Sequence, residues 1–383
     1  MKDSPSGKNS LFVKIILSLN ILAAFFLVLS VLASYISPGM IWILGIFGYL
    51  FPYLVFINLL FIFYWLFRKW KYAIISGMVI IIGYKSLLAT IQFHFHSSVP
   101  LPTEKNIRIL SFNVRLFDVY QWDGTNGRET RRNIFFMLKE ESPDIFCLQE
   151  FFTSDYLHFN NDIKLKRFLS DTIKGRNYQS HIEIVDKQPV DGQFGAATFS
   201  IYPIVGKGKI IFDEASFNVC LWTDLLIEQD TVRVFNLHLQ SIRFAPEDYK
   251  FVKNITNEKE EEEISGSKKI LRRLKKAFIR RSHQADIVYD EIRKSPYTVI
   301  ICGDFNDPPS SYTYQKISQN MEDSFVESGW GFAKSYIGAF PSFRIDYILH
   351  DKSFSASNFR TIQKKYSDHF PVATTLTRKI QSR

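Results

Sequence analysis

The sequence predicts an α/β domain preceded by an all-α transmembrane region, and three observations support this prediction. Residues 1–95 contain three long apolar runs. From residue 106 onward, short apolar runs alternate with polar helical stretches, which is typical of strands and helices packed in layers. Residues 1–100 carry seven basic residues and one acidic residue, whereas residues 101–383 carry 40 basic and 37 acidic residues. The larger part is therefore nearly neutral, and its composition does not indicate a nucleic-acid partner.

The apolar runs are long enough to cross a bilayer. The first, residues 15–36, has 22 residues without a charge, which exceeds the apolar core of a signal peptide. The second, residues 40–67, has a tryptophan towards each end, as suits the two membrane interfaces. The third, residues 72–93, is interrupted by Lys85. We predict three transmembrane helices over about these ranges, which together form a membrane anchor.

The loop charges predict an orientation. Three lysines precede the first run, and Arg68, Lys69 and Lys71 separate the second from the third. Positive charges favour the cytoplasmic side, so we expect a multi-pass protein whose large domain lies on the non-cytoplasmic side. If the third run does not cross, that domain is cytoplasmic instead. Residues 96–105 contain prolines and polar residues and predict a linker.

The large domain is expected over residues 106–378. Its predicted strands and helices are, in chain order, strand 107–112, helix 128–141, strands 145–148, 196–199, 218–225 and 232–239, helix 282–294, and strands 299–302 and 345–349. A charged insertion at about 243–281 ends in the sequence KKILRRLKKAFIRR, residues 268–281, a basic amphipathic helix. Two interpretations remain for it: a solvated helix packed by its apolar stripe, or a contact with anionic lipid headgroups or an acidic substrate.

Polar residues lie at the ends of the strand-like runs, either just after a run or at its start, where α/β domains usually build their sites. They are Asn113, Glu150, His238, Asp304, Asn306, Asp346, Asp368 and His369. Carboxylate oxygens suit Mg²⁺, with Mn²⁺ as the alternative. Histidines can transfer protons, and neutral amides can hydrogen-bond a phosphate without competing for the metal. Such a set suits metal-assisted attack of water on a phosphate ester.

Seven motifs in a fixed order then identify a family. They are SFNVR, LQE, FGAATFSIYPI, NLHLQ, GDFND, RIDYI and SDHFPV, and they extend across the whole of the large domain. In kind and order they resemble those of the endonuclease/exonuclease/phosphatase superfamily, which includes deoxyribonuclease I-like nucleases and neutral sphingomyelinases. The resemblance implies a four-layered α/β/β/α sandwich with its active site at one edge of two packed sheets.

The resemblance also implies a metal site and a general acid. Glu150 corresponds to the principal Mg²⁺ ligand, with Asn113 and Asp368 beside it. His238 corresponds to the histidine that serves as general acid in the nuclease and sphingomyelinase branches. Abasic-site enzymes typically have tyrosine there, so this chain departs from that branch.

The remaining implied roles concern the attacking water and the phosphate. Asp304 corresponds to the residue that orients or deprotonates the water, and Asn306 to the residue that stabilises the pentacovalent state. His369 would contact the phosphate, held by Asp346 in a carboxylate–imidazole pair. Branches of the family differ in the base, so either Asp304 or His369 can take that role.

The sequence thus predicts a membrane-anchored, Mg²⁺-dependent phosphoesterase. Arg115 and Arg128 are candidates for contacts with the substrate phosphate. Anchoring favours a lipid headgroup as substrate, with the bilayer as a partner of the N-terminal helices. The alternatives are a nuclease of the same fold that faces the envelope space, and a catalytically silent binding or scaffold protein.

Overall fold

The computed structural model describes most of the chain, namely residues 7–94, 106–121, 124, 126–153, 164–165, 167–168, 176–188, 192–212, 218–242, 260–338 and 343–379. The predicted linker and residues 243–259 of the insertion lie outside these ranges. The helices are α1 (Gly7–Leu32), α2 (Leu44–Arg68), α3 (Ala73–Ile82), α4 (Tyr84–Thr90), α5 (Gly127–Glu141), α6 (Glu260–Arg293), α7 (Tyr312–Ile317) and α8 (Ser324–Ser328). The strands are β1 (Gln92–Phe93), β2 (Asn106–Asn113), β3 (Ile145–Thr153), β4 (Gln179–Gln188), β5 (Gly192–Ser200), β6 (Ile204–Ile210), β7 (Val219–Ile227), β8 (Asp230–His238), β9 (Thr298–Asp304), β10 (Glu322–Asp323), β11 (Trp330–Gly331), β12 (Asp346–His350), β13 (Phe354–Thr361) and β14 (Val372–Arg378).

Helices α1 and α2 are each long and apolar enough to cross a membrane. The third apolar run is expected from the sequence as one helix over 72–93. It is instead divided between α3 and α4, and the chain bends by 69° between them. The break falls at Gly83, where a Cβ atom would lie 2.9 Å from Cγ2 of Val31 in α1. The close approach to α1 therefore requires glycine, and glycine also ends a helix readily.

A buried chain of polar side chains ties the first three helices together. The indole N–H of Trp65 donates to Oδ1 of Asn20 at 2.9 Å, and Nδ2 of Asn20 donates to Oγ of Ser76 at 2.6 Å. Ser76 in turn donates to Oδ1 of Asn58 at 2.7 Å. Hydrogen bonds of this kind hold helices together where no water is available to compete.

The large domain contains two six-stranded sheets packed face to face. Their strand orders are β13-β14-β2-β3-β5-β4 and β10-β12-β9-β8-β7-β6. The apolar side chains between them include Ile109 and Cys147 from the first sheet and Val234 and Ile300 from the second. Helix α5 packs on the outer face of the first sheet, and α6 and α7 pack on that of the second. This arrangement confirms the predicted four-layered α/β/β/α sandwich.

Strand register gathers three polar residues at one edge of the second sheet. Asp304, the last residue of β9, lies opposite His238 of the parallel strand β8 and opposite Asp346 of the antiparallel strand β12. Gly303, with φ of +144°, allows this close pairing, because a Cβ atom there would lie 2.1 Å from the carbonyl oxygen of Leu237. The carboxyl ends of β8 and β9 therefore lie side by side.

One end of the N-terminal helical region, α1 to α4, packs directly on the large domain. Oγ of Ser34 donates to the carbonyl oxygen of Ser310 at 2.9 Å, and Oγ of Ser310 donates to that of Gly48 at 2.7 Å. Nη2 of Arg344 donates to the carbonyl oxygen of Ala89 at 2.7 Å. These residues lie at the end of α1, near the start of α2 and at the end of α4. The C-terminal ends of α1 and α4 and the N-terminal part of α2 therefore lie on the side of the helix bundle that contacts the domain.

The basic segment is part of a longer helix than expected. Residues 268–281 and the helix predicted over 282–294 both belong to α6, which has 34 residues. Its buried Phe278 packs on Gly45 of α2, and the ring of Phe278 lies 5.4 Å from that of Tyr49. Leu271, further towards the start of α6, is exposed. The apolar stripe therefore packs only in part, and its partner is α2 of the N-terminal helical region.

Candidate active site

The predicted catalytic and metal-ligating residues lie together at the edge where β2, β3, β8 and β9 end. They are Asn113, Glu150, His238, Asp304, Asn306, Asp346, Asp368 and His369. Strands β2 and β3 are parallel, as are β8 and β9, so their carboxyl ends meet at this edge. The edge therefore collects side chains from both sheets.

Asn113 joins the two sheets at the site. It is the last residue of β2 and is buried. Its Nδ2 donates to Oε1 of Glu150 at 3.3 Å and to Oδ2 of Asp304 at 3.1 Å. Its Oδ1 accepts a hydrogen bond from the backbone N–H of Arg115 at 3.0 Å. Asn113 is therefore fixed at both ends and holds two carboxylates at a set separation.

Glu150 is presented by an irregularity in β3. The register of β3 against β5 shifts between Leu148 and Phe151, and Glu150 has φ of +50°. Such bulges redirect a side chain beside an active site. The Glu150 side chain is 28% exposed and that of Asp368 is 30% exposed. Burial, followed by the charge of Asp368, raises the pKa of Glu150.

Asp304 accepts hydrogen bonds on both carboxylate oxygens. Oδ1 accepts a hydrogen bond from the backbone N–H of Asn306 at 2.8 Å. Oδ2 accepts one from Nδ2 of Asn306 at 3.1 Å and one from Nδ2 of Asn113. Asn306 has φ of +55°, a left-handed conformation that turns its amide back onto the carboxylate. Burial raises the pKa of Asp304 to about 6, and His369 and His238 oppose that rise.

His369 lies between two buried carboxylates. Its Nδ1 is 2.9 Å from Oδ2 of Asp346, and its Nε2 is 3.7 Å from Oδ2 of Asp304. Burial lowers the pKa of His369, but the charges of Asp346 and Asp304 outweigh burial and hold the pKa well above its usual value. Both nitrogens thus face negative charge, which favours the imidazolium form.

His238 lies across the site from His369. Its Nε2 is 3.6 Å from Oε1 of Glu150 and 3.9 Å from Oδ2 of Asp304. The side chain is mostly buried, yet less so than that of Asp304. His238 therefore forms part of the floor of the site, at a position from which its imidazole can face a bound ester.

The site has two places that suit a divalent cation. Glu150 and Asp368 offer partly exposed carboxylates that repel each other, which a cation would relieve. Asp304, Asp346 and His369 bring one ligand atom each within 4.8 Å of one another. Among the described residues, Oδ1 of Asp346 is buried and has no hydrogen-bond partner. The oxygen-rich donor set therefore fits a hard metal ion.

The two predicted substrate arginines lie in different places. Nε of Arg115 is 3.7 Å from Oδ2 of Asp368, which puts this guanidinium at the site. Arg128 is in the first turn of α5, where its backbone N–H donates to Oδ1 of Asn126. Burial lowers the pKa values of Arg131 and Lys164, and neighbouring positive charges that include Arg128 lower them further, which identifies a basic cluster. Among the described residues, Arg115 contacts a site residue, whereas the contact described for Arg128 is with Asn126 and not with the site.

Sequence reasoning missed three residues that support the site. Oγ of Ser335 accepts the backbone N–H of Asp346 at 3.0 Å. Oγ of Ser367 donates to the carbonyl oxygen of Asn113 at 2.8 Å. The ring of Tyr336 lies 5.2 Å from that of His369, centroid to centroid. Ser367 opens the SDH motif and could have been found there, whereas nothing in the local sequence distinguishes Ser335 or Tyr336.

A buried cluster links the N-terminal helical region to the loop after β9. The hydroxyl of Tyr49 in α2 donates to the carbonyl oxygen of Asn306 at 3.3 Å. Nη2 of Arg281 in α6 donates to that hydroxyl at 3.1 Å and to Oδ1 of Asp307 at 2.9 Å. Nη1 of Arg281 donates to the carbonyl oxygen of Gln240 at 2.6 Å. Arg281 is fully buried, so its charge depends on Asp307.

Two family models match the chain. The model described as the endonuclease/exonuclease/phosphatase family matches residues 110–369, which include every catalytic and metal-ligating residue predicted above. A model described as a domain of unknown function (DUF8431) matches residues 13–90. None of the curated proteins compared with the chain matches it.

Solved structures share the fold. An endonuclease/exonuclease/phosphatase family protein from Bacteroides thetaiotaomicron is 19% identical with a TM-score of 0.52, over 73% of this chain and 97% of that one. A mannosyl-6-phosphatase of Bacteroides thetaiotaomicron VPI-5482 is 18% identical with a TM-score of 0.50, over 70% and 99%. An endonuclease/exonuclease/phosphatase from Beutenbergia cavernae is 15% identical with a TM-score of 0.51, over 72% of each chain. At these identities the likeness shows the fold.

Proposed function

Because the chain belongs to the endonuclease/exonuclease/phosphatase family, whose members hydrolyse phosphate esters, we propose that it is a membrane-anchored, Mg²⁺-dependent phosphoesterase. Its substrate is a phosphodiester or a phosphomonoester. The observation that carries the proposal is the placement of Asp304, whose carboxylate lies within reach of two histidines and accepts hydrogen bonds from two asparagine side chains.

Asp304 is the group that orients the attacking water and takes its proton. The alternative base, His369, has both ring nitrogens directed at carboxylates and is best suited to donate a hydrogen bond to a phosphate oxygen. Water attacks phosphorus, the bond from phosphorus to the leaving oxygen breaks, and His238 gives that oxygen a proton. Asn306 donates through Nδ2 to Asp304 and to the carbonyl oxygen of Leu239, and it would turn one of these N–H groups to the charge that develops on the phosphoryl oxygens.

Glu150, Asn113 and Asp368 would hold the Mg²⁺ ion. Their donors are two carboxylates and one amide oxygen, the hard ligands that Mg²⁺ prefers. When bound, the ion neutralises negative charge on the phosphate. Arg115 keeps Asp368 in place through its guanidinium and is the better placed of the two arginines to contact the substrate.

The membrane region supports an orientation. The end of the helices that contacts the large domain includes the loop between α1 and α2, which has no positive charge. The opposite end includes Arg68, Lys69 and Lys71. Positive charges mark the cytoplasmic side, so the large domain faces the non-cytoplasmic side. Helices α3 and α4 together return the chain to that side as one bent span.

The placement of α6 favours a substrate at the membrane surface over a nucleic acid. Lys275 lies 5.7 Å from the ring of Trp42, near the start of α2, and so belongs to the expected interface. Positively charged side chains at the membrane interface attract anionic lipid headgroups. A nuclease remains the alternative, because α6 could also bind a phosphodiester backbone.

The test measures hydrolysis by the full chain in detergent micelles with Mg²⁺. The substrates are plasmid DNA, RNA, sphingomyelin, a phosphatidylinositol phosphate and bis(p-nitrophenyl) phosphate. Asp304→Asn should abolish turnover, whereas Asp290→Asn, an exposed change on α6, should not. Hydrolysis of nucleic acid alone, falling steeply with salt, would favour the nuclease. A folded chain that binds Mg²⁺ and turns over none of these substrates would refute the proposal and favour a scaffold protein.

A further inference from the structure

An apolar groove of about 490 Å³ lies between α2 and the large domain. The residues that define it are Pro52, Tyr53 and Phe56 on the α2 wall and Phe332, Lys334 and Phe343 on the domain wall. Phe56 is 62% exposed and Phe332 is 58% exposed, although both are large aromatic side chains. Exposed apolar surface of this kind marks a binding site or an interface.

The groove has fixed walls, because specific contacts hold α2 against the domain. The ring of Tyr49, one turn before the groove, packs edge-on against that of Phe343 at 5.5 Å. The hydroxyl of Tyr49 donates to the carbonyl oxygen of Asn306, and Ser310 donates to that of Gly48. A lipid in this groove would therefore occupy a defined position relative to the active site, unlike a lipid that covers the free side of α2.

The groove lies next to the active site. Pro309 contributes to its lining and follows Asn306 by three residues, a span of at most ~11 Å. Lys334 precedes Tyr336 by two residues, a span of at most ~7 Å. The ring of Tyr336 packs on that of His369. A molecule with an apolar part in the groove can therefore place a polar part at the catalytic residues.

We propose that the groove binds the hydrocarbon tail of a membrane lipid whose phosphate ester is hydrolysed at the active site. The inference rests on the proposed function and names its substrate class. One wall of the groove belongs to a helix long and apolar enough to lie in a bilayer, so the groove opens towards hydrocarbon. Lys334 supplies a cation at the groove, which complements an anionic phosphate headgroup.

The first test measures binding without turnover. The full chain in dodecyl maltoside micelles with EDTA is irradiated with hexadecyl phosphate that carries a diazirine near the end of its tail. The label should appear on the peptides that contain Phe56 and Phe332, and hexadecyl phosphate should compete with it, whereas butyl phosphate should not. Phe56→Ala should reduce labelling of the Phe332 peptide about fivefold, because the tail loses apolar contact.

A matched control separates groove binding from general contact with α2. Phe63 is 65% exposed on the same helix, two turns beyond Phe56 and outside the groove. Phe63→Ala should leave labelling of the Phe332 peptide unchanged. Labelling spread evenly along α2, or equal in the Phe56→Ala and Phe63→Ala variants, would overturn the proposal.

The second test measures chain-length dependence with Mg²⁺. Methyl and hexadecyl p-nitrophenyl phosphate are compared in the same micelles. The hexadecyl ester should have a kcat/KM about tenfold higher, and Phe332→Ala should reduce that ratio. Equal kcat/KM values for the two esters would overturn the proposal that the groove binds a lipid tail, but not the proposed phosphoesterase function. The opposite result is also informative. If the groove is labelled specifically but no Asp304-dependent hydrolysis is found, the groove binds the tail and the proposed phosphoesterase function is wrong.

Discussion

Oδ2 of Asp346 lies 2.9 Å from Nδ1 of His369, and both residues are buried. The pair connects the two sheets, because Asp346 opens β12 of the second sheet and His369 lies in the loop just before β14 of the first sheet. Such a bond fixes the tautomer and the orientation of the ring, and it directs Nε2 towards Asp304. In the proposed mechanism, Asp346 would therefore act on the reaction through His369.

We predict that Asp346→Asn lowers kcat about 100-fold, because His369 loses the charge that keeps it protonated and oriented. The change is nearly isosteric, so the fold should persist. The measurement is kcat for bis(p-nitrophenyl) phosphate in the full chain with saturating Mg²⁺, with circular dichroism as the check on folding. An unchanged kcat would remove the pair from the reaction.

Metal binding should depend on Glu150. Glu150→Gln keeps the size of the side chain but removes the charge, so we expect Mg²⁺ affinity to fall at least about tenfold. The activity should recover in part at high Mg²⁺. Isothermal calorimetry measures the affinity directly. Glu129→Gln, an exposed change on α5, is the matched control. Equal Mg²⁺ affinity in the two variants would contradict the ligand role of Glu150.

The sequence predicted the core of the site because its residues follow strands that end at one edge. Asp304 and His238 each close a buried strand, and the pairing of β8 with β9 brings them side by side. The same rule holds for Asn113 at the end of β2. The motifs then supplied a role for each position, since the chemistry depends on residue type as well as place.

Contacts between segments far apart in the chain could not be predicted in this way. Tyr49 lies in an apolar run, and Arg281 lies in a run of cations in which no single residue differs from its neighbours. Only the packing of α2 and α6 on the loop after β9 distinguishes them. The break at Gly83 was missed for the same reason, because it depends on close approach to Val31.

Helix α2 should contribute to catalysis through Tyr49. Tyr49→Phe removes only the hydroxyl that donates to the carbonyl oxygen of Asn306. We expect kcat for bis(p-nitrophenyl) phosphate to fall about three- to tenfold with little change in KM, because the loop that carries Asn306 is less firmly positioned. Tyr35→Phe, an exposed change at the end of α1, is the control. If both variants have the wild-type kcat, Tyr49 does not position the loop.

The buried polar network among α1, α2 and α3 should stabilise the helix bundle. Asn58→Ala removes the acceptor of Ser76 and the donor to the carbonyl oxygen of Ala23. The free energy of unfolding should fall by about 1 kcal/mol, since polar groups in hydrocarbon lack water as an alternative partner. Titration of the full chain from neutral detergent into sodium dodecyl sulfate measures this change. Leu60→Ala, which alters a side chain exposed on the same helix, should have a smaller effect. An equal or larger loss of stability in Leu60→Ala would show that the network does not stabilise the bundle.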